Sequence, residues 1–92
     1  AGVVGLTLPV AGELAPLGIR VCAVAPGMFA TPMVQGLPDE VRASLGAAVP
    51  FPSRFGRPDE FGYACAFLCG EKAGFITGQN ILLDGGAFPG TL

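Results

Sequence analysis

The chain is short, apolar and sparsely charged: of its 92 residues, 51% are hydrophobic and 13% charged, and the net charge is −2. Because a typical soluble domain carries about 25% charged residues, we expect part of the surface to meet another chain or a further part of its own. The five basic residues are scattered, which argues against a nucleic-acid partner, and no apolar run approaches the roughly 20 residues of a membrane span.

The three cysteines, Cys22, Cys65 and Cys69, form no even disulfide framework, and the chain has no histidine to complete a zinc site. Cys65 and Cys69 lie one helical turn apart on an apolar face, which predicts reduced core residues. Reduced thiols suit a reducing compartment. The expected location is therefore the cytoplasm, with the mitochondrial matrix as the alternative if a targeting peptide has been removed.

The first predicted element is an amphipathic helix over residues 1–16. Its apolar stripe consists of Val3, Leu6, Val10 and Leu14. Pro9 lies inside it and costs about 3 kcal/mol relative to Ala, so tertiary packing must hold the helix together. Ala1 is no N-cap residue, which is typical of the second half of a longer helix.

The next element is a strand predicted over Ile19–Ala25. Its apolar, β-branched composition is typical of a strand buried on both faces within a parallel sheet. Pro26-Gly27 then ends it in a sharp turn. Helix, turn and buried strand form the return half of a βαβ unit, and ligands bind at the carboxyl ends of such strands.

A segment of weak periodicity follows from Met28 to Phe55. It contains a short predicted helix, Leu37–Leu45, with Pro38 at its first position and two carboxylates behind. Its loop residues are apolar, among them Met33, Val34, Leu37 and Phe51. These residues predict a lid over a hydrophobic ligand. A loop that merely covers the sheet edge remains the alternative.

The last part of the chain predicts a helix and a strand. The helix begins at Gly56–Glu60, with Pro58 at N1 and acids behind it, and ends at Gly70 or Gly74. A second buried strand is expected from about Gln79 to Leu83, followed by a Gly-Gly turn and, beyond Ala87, a tail.

The sequence predicts no catalytic group and no metal site. Without histidine there is no Ser-His or Cys-His pair, and the adjacent acids at 39–40 and 59–60 are explained by the first turns of their helices. Tyr63 and Lys72 are nine residues apart and do not share a helical face. What remains is the loop after the first strand, where Thr31 offers a hydroxyl and Phe29 a flat apolar surface.

Several ordered motifs together resemble a known family. They are Leu14–Gly27, Thr31-Pro32, Gly56–Glu60, Phe75–Gln79 and Leu83–Gly86. At this spacing they look like the C-terminal third of a short-chain dehydrogenase/reductase. Pro9 and the residues at 28–32 and 49–54 most resemble the type-2 3-hydroxyacyl-CoA dehydrogenase branch, which includes hydroxysteroid-oxidising members. Cys22 departs from the wider family, in which many members have Asn there.

The resemblance implies an α/β fold in which residues 1–92 supply the last two strands, flanking helices and substrate lid of a Rossmann-type doubly wound parallel sheet. The implied cofactor is NAD, with NADP as the alternative. Pro26 and Gly27 would pass close to the nicotinamide, and Phe29 and Thr31 would contact its ring and carboxamide. The family's substrate-binding loop corresponds to the lid, with Met33, Val34, Leu37 and Phe51.

The resemblance also implies what this chain lacks. The family's Gly-rich phosphate turn, catalytic Ser and Tyr-x-x-x-Lys precede the matching segment, so the 92 residues alone are predicted to be inactive. The complete enzyme is expected to be a homotetramer that acts on a small hydrophobic hydroxy or keto substrate, with no nucleic-acid or membrane partner. The alternative is a non-catalytic binding or oligomerisation module derived from a dehydrogenase.

Overall fold

The computed structural model describes residues 2–88 and has an α/β architecture. Its elements follow in the order α1, β1, α2, α3, α4 and β2, with the bounds Gly2–Leu14, Ala23–Pro26, Pro32–Gln35, Asp39–Ala47, Pro58–Cys69 and Asn80–Leu83. Short 3-10 turns follow α1 and α4. The predicted helix start at Ala1 and the tail beyond Phe88 lie outside the described residues. No helix in the described part is long and apolar enough to cross a membrane.

The two strands lie side by side and parallel, with Ala23 opposite Asn80 and Pro26 opposite Leu83. The chain between them carries α2, α3 and α4, the kind of crossover that parallel neighbours require. The Gly27 N–H donates to the Leu83 carbonyl at 2.9 Å, one residue beyond β1. The carboxyl ends of both strands therefore reach the same edge. The bounds of the predicted second strand, Gln79–Leu83, are confirmed to within one residue, but the residues of β2 are half-buried and not buried as predicted.

The prediction of a first strand over Ile19–Ala25, buried on both faces, is wrong in its bounds and its burial. The ladder begins only at Ala23, because the Val21 N–H is taken by the Thr77 hydroxyl at 3.1 Å instead of a backbone carbonyl. Ile19 is 47% exposed and the residues of β1 are at most half-buried. Within the described residues the sheet has only two strands, so no third strand covers the other edge of β1.

Helix α1 forms through Pro9, as tertiary packing was expected to allow, but it buries a different face from the predicted one. Thr7 and Ala11 are its buried residues, whereas Val3 and Leu6 of the predicted stripe are exposed. The turn at Gly78 packs closely on α1: a Cβ added at Gly78 would lie 2.9 Å from Cδ1 of Leu8 and 3.6 Å from the Cβ of Ala11.

The later helices match their local signals more closely. Helix α4 begins at Pro58, as predicted, and ends before Gly70, while α3 begins at Asp39 with Pro38 just ahead of it. The four-residue helix α2 was not predicted. All three cysteines are free, but the core prediction is wrong for Cys69, which is exposed at the end of α4.

Little of the apolar surface is buried within the described chain. Apolar residues that are fully buried are Ala11, Val49 and Ala73. The accessible surface is 6398 Å², whereas a compact 9.3 kDa protein would expose about 5,000 Å². The radius of gyration, 15.5 Å, likewise exceeds the roughly 12 Å of a compact chain of this length. Large apolar side chains such as Val3, Leu8 and Met33 are among the exposed residues, as the low charge content predicted.

Candidate functional site

An apolar cavity of about 450 Å³ opens at the carboxyl end of β1; we call it the β1 cavity. It is lined by Pro26, Gly27, Met28, Phe29, Thr31, Val34, Pro58 and Phe61. All four residues predicted to contact a cofactor lie in this lining. The elements that supply it are the end of β1, the start of α2 and the first turn of α4.

Gly27 brings the two strand ends into contact. A Cβ at this position would lie 2.7 Å from the Cβ of Asp84 and 2.9 Å from its Cα, so only glycine fits without a backbone shift. Asp84 in turn accepts hydrogen bonds from the N–H groups of Gly86 and Phe88, each at 3.0 Å, and so shapes the turn after β2. The loop at Gly27 is therefore held against a second ordered turn.

Phe29 is held from two sides. Its backbone forms a parallel bridge with Gly56: the Gly56 N–H donates to the Met28 carbonyl and the Ala30 N–H to the Gly56 carbonyl, both at 2.9 Å. The Phe29 ring lies over Gly56, where an added Cβ would come within 2.7 Å of it. It also meets Phe61 edge to face, with ring centroids 6.1 Å apart. The ring thus forms a fixed wall of the β1 cavity.

Thr31 places a hydroxyl at the mouth of the cavity. It is the N-cap of α2, and its Oγ1 accepts a long hydrogen bond of 3.5 Å from the Val34 N–H. Because the oxygen accepts in this contact, the hydroxyl proton is available for donation to a ligand. Thr31 is exposed, so a ligand in the cavity can reach it.

The predicted lid residues are not all brought together. Val34 lines the β1 cavity and Leu37 is half-buried, whereas Met33 is 85% and Phe51 81% exposed. The Phe51 N–H donates to the Gly85 carbonyl at 3.0 Å, which ties that part of the lid to the turn after β2.

A second cavity of about 260 Å³ lies between the lid and the turn after β2. It shares Met28 and Phe29 with the β1 cavity, and its polar wall contains Arg54 and Glu60. The sequence placed Glu60 in a helix start but gave no sign of its partner. Pro58 and Phe61 were likewise missed as lining residues of the β1 cavity; only their i, i+3 spacing could have indicated that they share a face.

Glu60 is one of three charged residues that line the second cavity, with Arg54 and Asp84. Its carboxylate accepts hydrogen bonds from the Arg54 guanidinium at 2.8 Å and from the Arg57 backbone N–H at 2.8 Å, and these lower the pKa of Glu60 to about 2. The same ion pair raises the pKa of Arg54. Glu60 is therefore a stable anion that fixes its neighbours, and it is no acid–base group near neutral pH.

Other residues with reactive side chains lie away from the β1 cavity. Tyr63, 66% exposed, and Lys72 do not line the β1 cavity. From residue 2 to residue 88, no group of three Cys, Asp or Glu side chains is placed to hold a metal ion. The arrangement is thus a binding surface: apolar walls, one hydroxyl and two backbone turns.

Comparison with known proteins identifies relatives of the chain. A family model described as enoyl-(acyl carrier protein) reductase matches residues 1–87. The 3-hydroxyacyl-CoA dehydrogenase type-2 of Rattus norvegicus is 50% identical over 84 residues, which are 91% of this chain and 31% of that protein. The 3-oxoacyl-(acyl-carrier-protein) reductase of Thermotoga maritima is 44% identical over 86 residues, 94% of this chain and 35% of that protein.

A solved structure shares the fold. The crystal structure of 3-hydroxyacyl-CoA dehydrogenase type-2 from Mycobacterium avium superimposes with a TM-score of 0.85 at 45% identity, over 91% of this chain and 32% of that one. The two-stranded parallel sheet and its helices are thus part of a Rossmann-type α/β fold, as expected. The chain spans about a third of the length of the relatives it matches.

Proposed function

The chain belongs to the short-chain dehydrogenase/reductase family of oxidoreductases, and from this membership we propose that it is the C-terminal segment of a single Rossmann-type domain that interconverts a secondary alcohol and a ketone with NAD(H). NADP(H) is the alternative cofactor. The observation that carries the proposal is the β1 cavity, because its lining joins Pro26, Gly27, Phe29 and Thr31 at the carboxyl end of a parallel strand.

The chemistry of the cavity fits a nicotinamide. A flat heteroaromatic ring suits the apolar walls made by Pro26 and Phe29, and a carboxamide needs a hydrogen-bond partner such as the Thr31 hydroxyl. When bound, nicotinamide supplies the hydride acceptor or donor. The role of this chain is to hold the ring in one orientation, because hydride transfer requires a defined ring face toward the substrate.

The proposed substrate is a 3-hydroxyacyl or 3-oxoacyl thioester. The names of the rat and Thermotoga relatives share this chemistry: an acyl chain with a hydroxyl or keto group at carbon 3, carried on CoA or on a carrier protein. Val34 offers apolar surface in the β1 cavity for such a chain, and the Leu37 N–H donates to the Val34 carbonyl, while Met33 and Phe51 are exposed and can meet the chain from outside. A homotetramer in the cytoplasm completes the proposal.

The test uses the complete protein as its gene encodes it. We expect NAD to be reduced to NADH when a 3-hydroxyacyl-CoA is added, and NADP to be reduced to NADPH more slowly. We expect the 92-residue polypeptide alone to give no turnover. A hydroxysteroid and a simple secondary alcohol serve as comparison substrates. Failure to bind either dinucleotide would reject the proposal and favour the non-catalytic module, whereas turnover of the steroid alone would correct only the substrate.

A further inference from the structure

The ion pair between Arg54 and Glu60 does more than join two surface residues. The Arg54 guanidinium donates to both carboxylate oxygens of Glu60, at 2.8 and 3.3 Å, and also to the Phe55 carbonyl at 2.9 Å. Glu60 in addition accepts the Arg57 backbone N–H. The pair therefore binds the backbone on both sides of Gly56 to the first turn of α4.

Gly56 connects the Arg54–Glu60 ion pair to Phe29, which lines the β1 cavity. The residue bridges the backbone of residues 28–30 through two hydrogen bonds of 2.9 Å, and the Phe29 ring lies directly on it. The other support of the ring, Phe61, follows Glu60 in α4. Gly56 and Phe61 both support Phe29. Each directly follows a residue that Arg54 binds: Phe55, through its carbonyl, and Glu60, through its carboxylate.

We propose that Arg54 and Glu60 are positioning residues for the dinucleotide: they fix Gly56 and Phe61 against Phe29 and thereby set the wall on which the nicotinamide ring lies. This inference rests on the proposed function. Both side chains line the second cavity and neither lines the β1 cavity, so their effect on the nicotinamide ring passes through Phe29, which lines both.

The experiment measures NADH affinity of the complete protein by fluorescence titration, together with its melting temperature. Glu60→Gln keeps the shape and an acceptor for the Arg57 N–H but removes the charge that holds Arg54. We expect the dissociation constant for NADH to rise about three- to fivefold, the range that a partly exposed ion pair can transmit. The matched control is Asp59→Asn, in the same helical turn. The Asp59 carboxylate pairs with the Arg57 side chain at 3.2 Å, and the NADH affinity of this variant should equal that of the unaltered protein.

A double-mutant cycle separates positioning from general stability. If Glu60 acts through Phe29, Glu60→Gln should have almost no effect on NADH affinity in a Phe29→Ala background. Arg54→Lys, which keeps the charge but loses the two-oxygen contact, should show an intermediate effect, and it carries the test if Glu60→Gln does not fold. Additive effects, or a lowered melting temperature with unchanged affinity, would overturn the inference. If the unaltered protein binds neither NADH nor NADPH, the proposed function itself fails, and this inference falls with it.

Discussion

The sharpest structural prediction concerns Gly27, where the two strand ends touch. In Gly27→Ala the new methyl carbon would lie 2.7 Å from the Asp84 Cβ and 2.9 Å from its Cα, well inside normal contact. The Asp84 Cα belongs to the backbone, so relief requires one of the two turns to move. Overpacking of this kind costs about 1–3 kcal/mol. For a chain of the relatives' length, that corresponds to a melting temperature lower by about 2–10 °C.

A Gly→Ala substitution at Gly62 should raise the stability instead of lowering it, and it serves as a matched control. Gly62 lies inside α4 with no atom within 4 Å of an added Cβ. Gly62→Ala should therefore stabilise the helix by about 0.5–1 kcal/mol, since Gly loses more backbone entropy than Ala on folding. Thermal unfolding of both variants of the complete protein tests the pair. Equal effects of the two substitutions, or a neutral Gly27→Ala, would refute the close contact with Asp84.

Three further predictions concern the site and the surface. Thr31→Ala should weaken NADH binding more than Phe29→Ala does, and Thr31→Ser should retain affinity because it keeps the hydroxyl and the cap; titration of the three variants decides. The pKa of Glu60 falls on folding from 4.5 to about 2, so its contribution to stability is present above pH 4.5 and is lost between pH 4.5 and 2. Melting temperatures across that range should fall more steeply for the unaltered protein than for Glu60→Gln. Residues 1–92 alone should be oligomeric, aggregated or molten, because their accessible surface of 6398 Å² includes many exposed large apolar side chains. A species that is monomeric by sedimentation and melts sharply by calorimetry would contradict this.

The elements that sequence predicted well are those with local causes. Pro58 starts α4 because its ring pre-sets the helical φ and the first N–H groups need no partner, and Asp59 and Glu60 follow where the helix dipole favours anions. Gly85 and Gly86 have φ of 63° and 82°, the left-handed region that the Gly-Gly pair predicted for the turn after β2. Such signals depend on a few adjacent residues, so they can be recognised in the sequence without knowledge of the tertiary structure.

The candidate site was predictable in part for a similar reason. Several ordered motifs carried the resemblance, and the structure brings the four cofactor residues that it implied, Pro26, Gly27, Phe29 and Thr31, into one cavity. The strand bounds were not predictable, because the ladder starts only after the Thr77 hydroxyl has taken the Val21 N–H. That contact joins distant parts of the chain and leaves no trace in either segment alone.

The sequence by itself determined the family, the order of the strands and the longer helices, and the loop that forms the site, since these follow from motifs and short-range stereochemistry. Only the tertiary structure decided which face of α1 is buried: Thr7 and Ala11 are buried, whereas Val3 and Leu6 of the predicted stripe are exposed. It also decided that Arg54 finds Glu60 and that Phe29 rests on Gly56. These contacts depend on the distance between segments, a quantity that hydrophobic pattern and propensity do not contain.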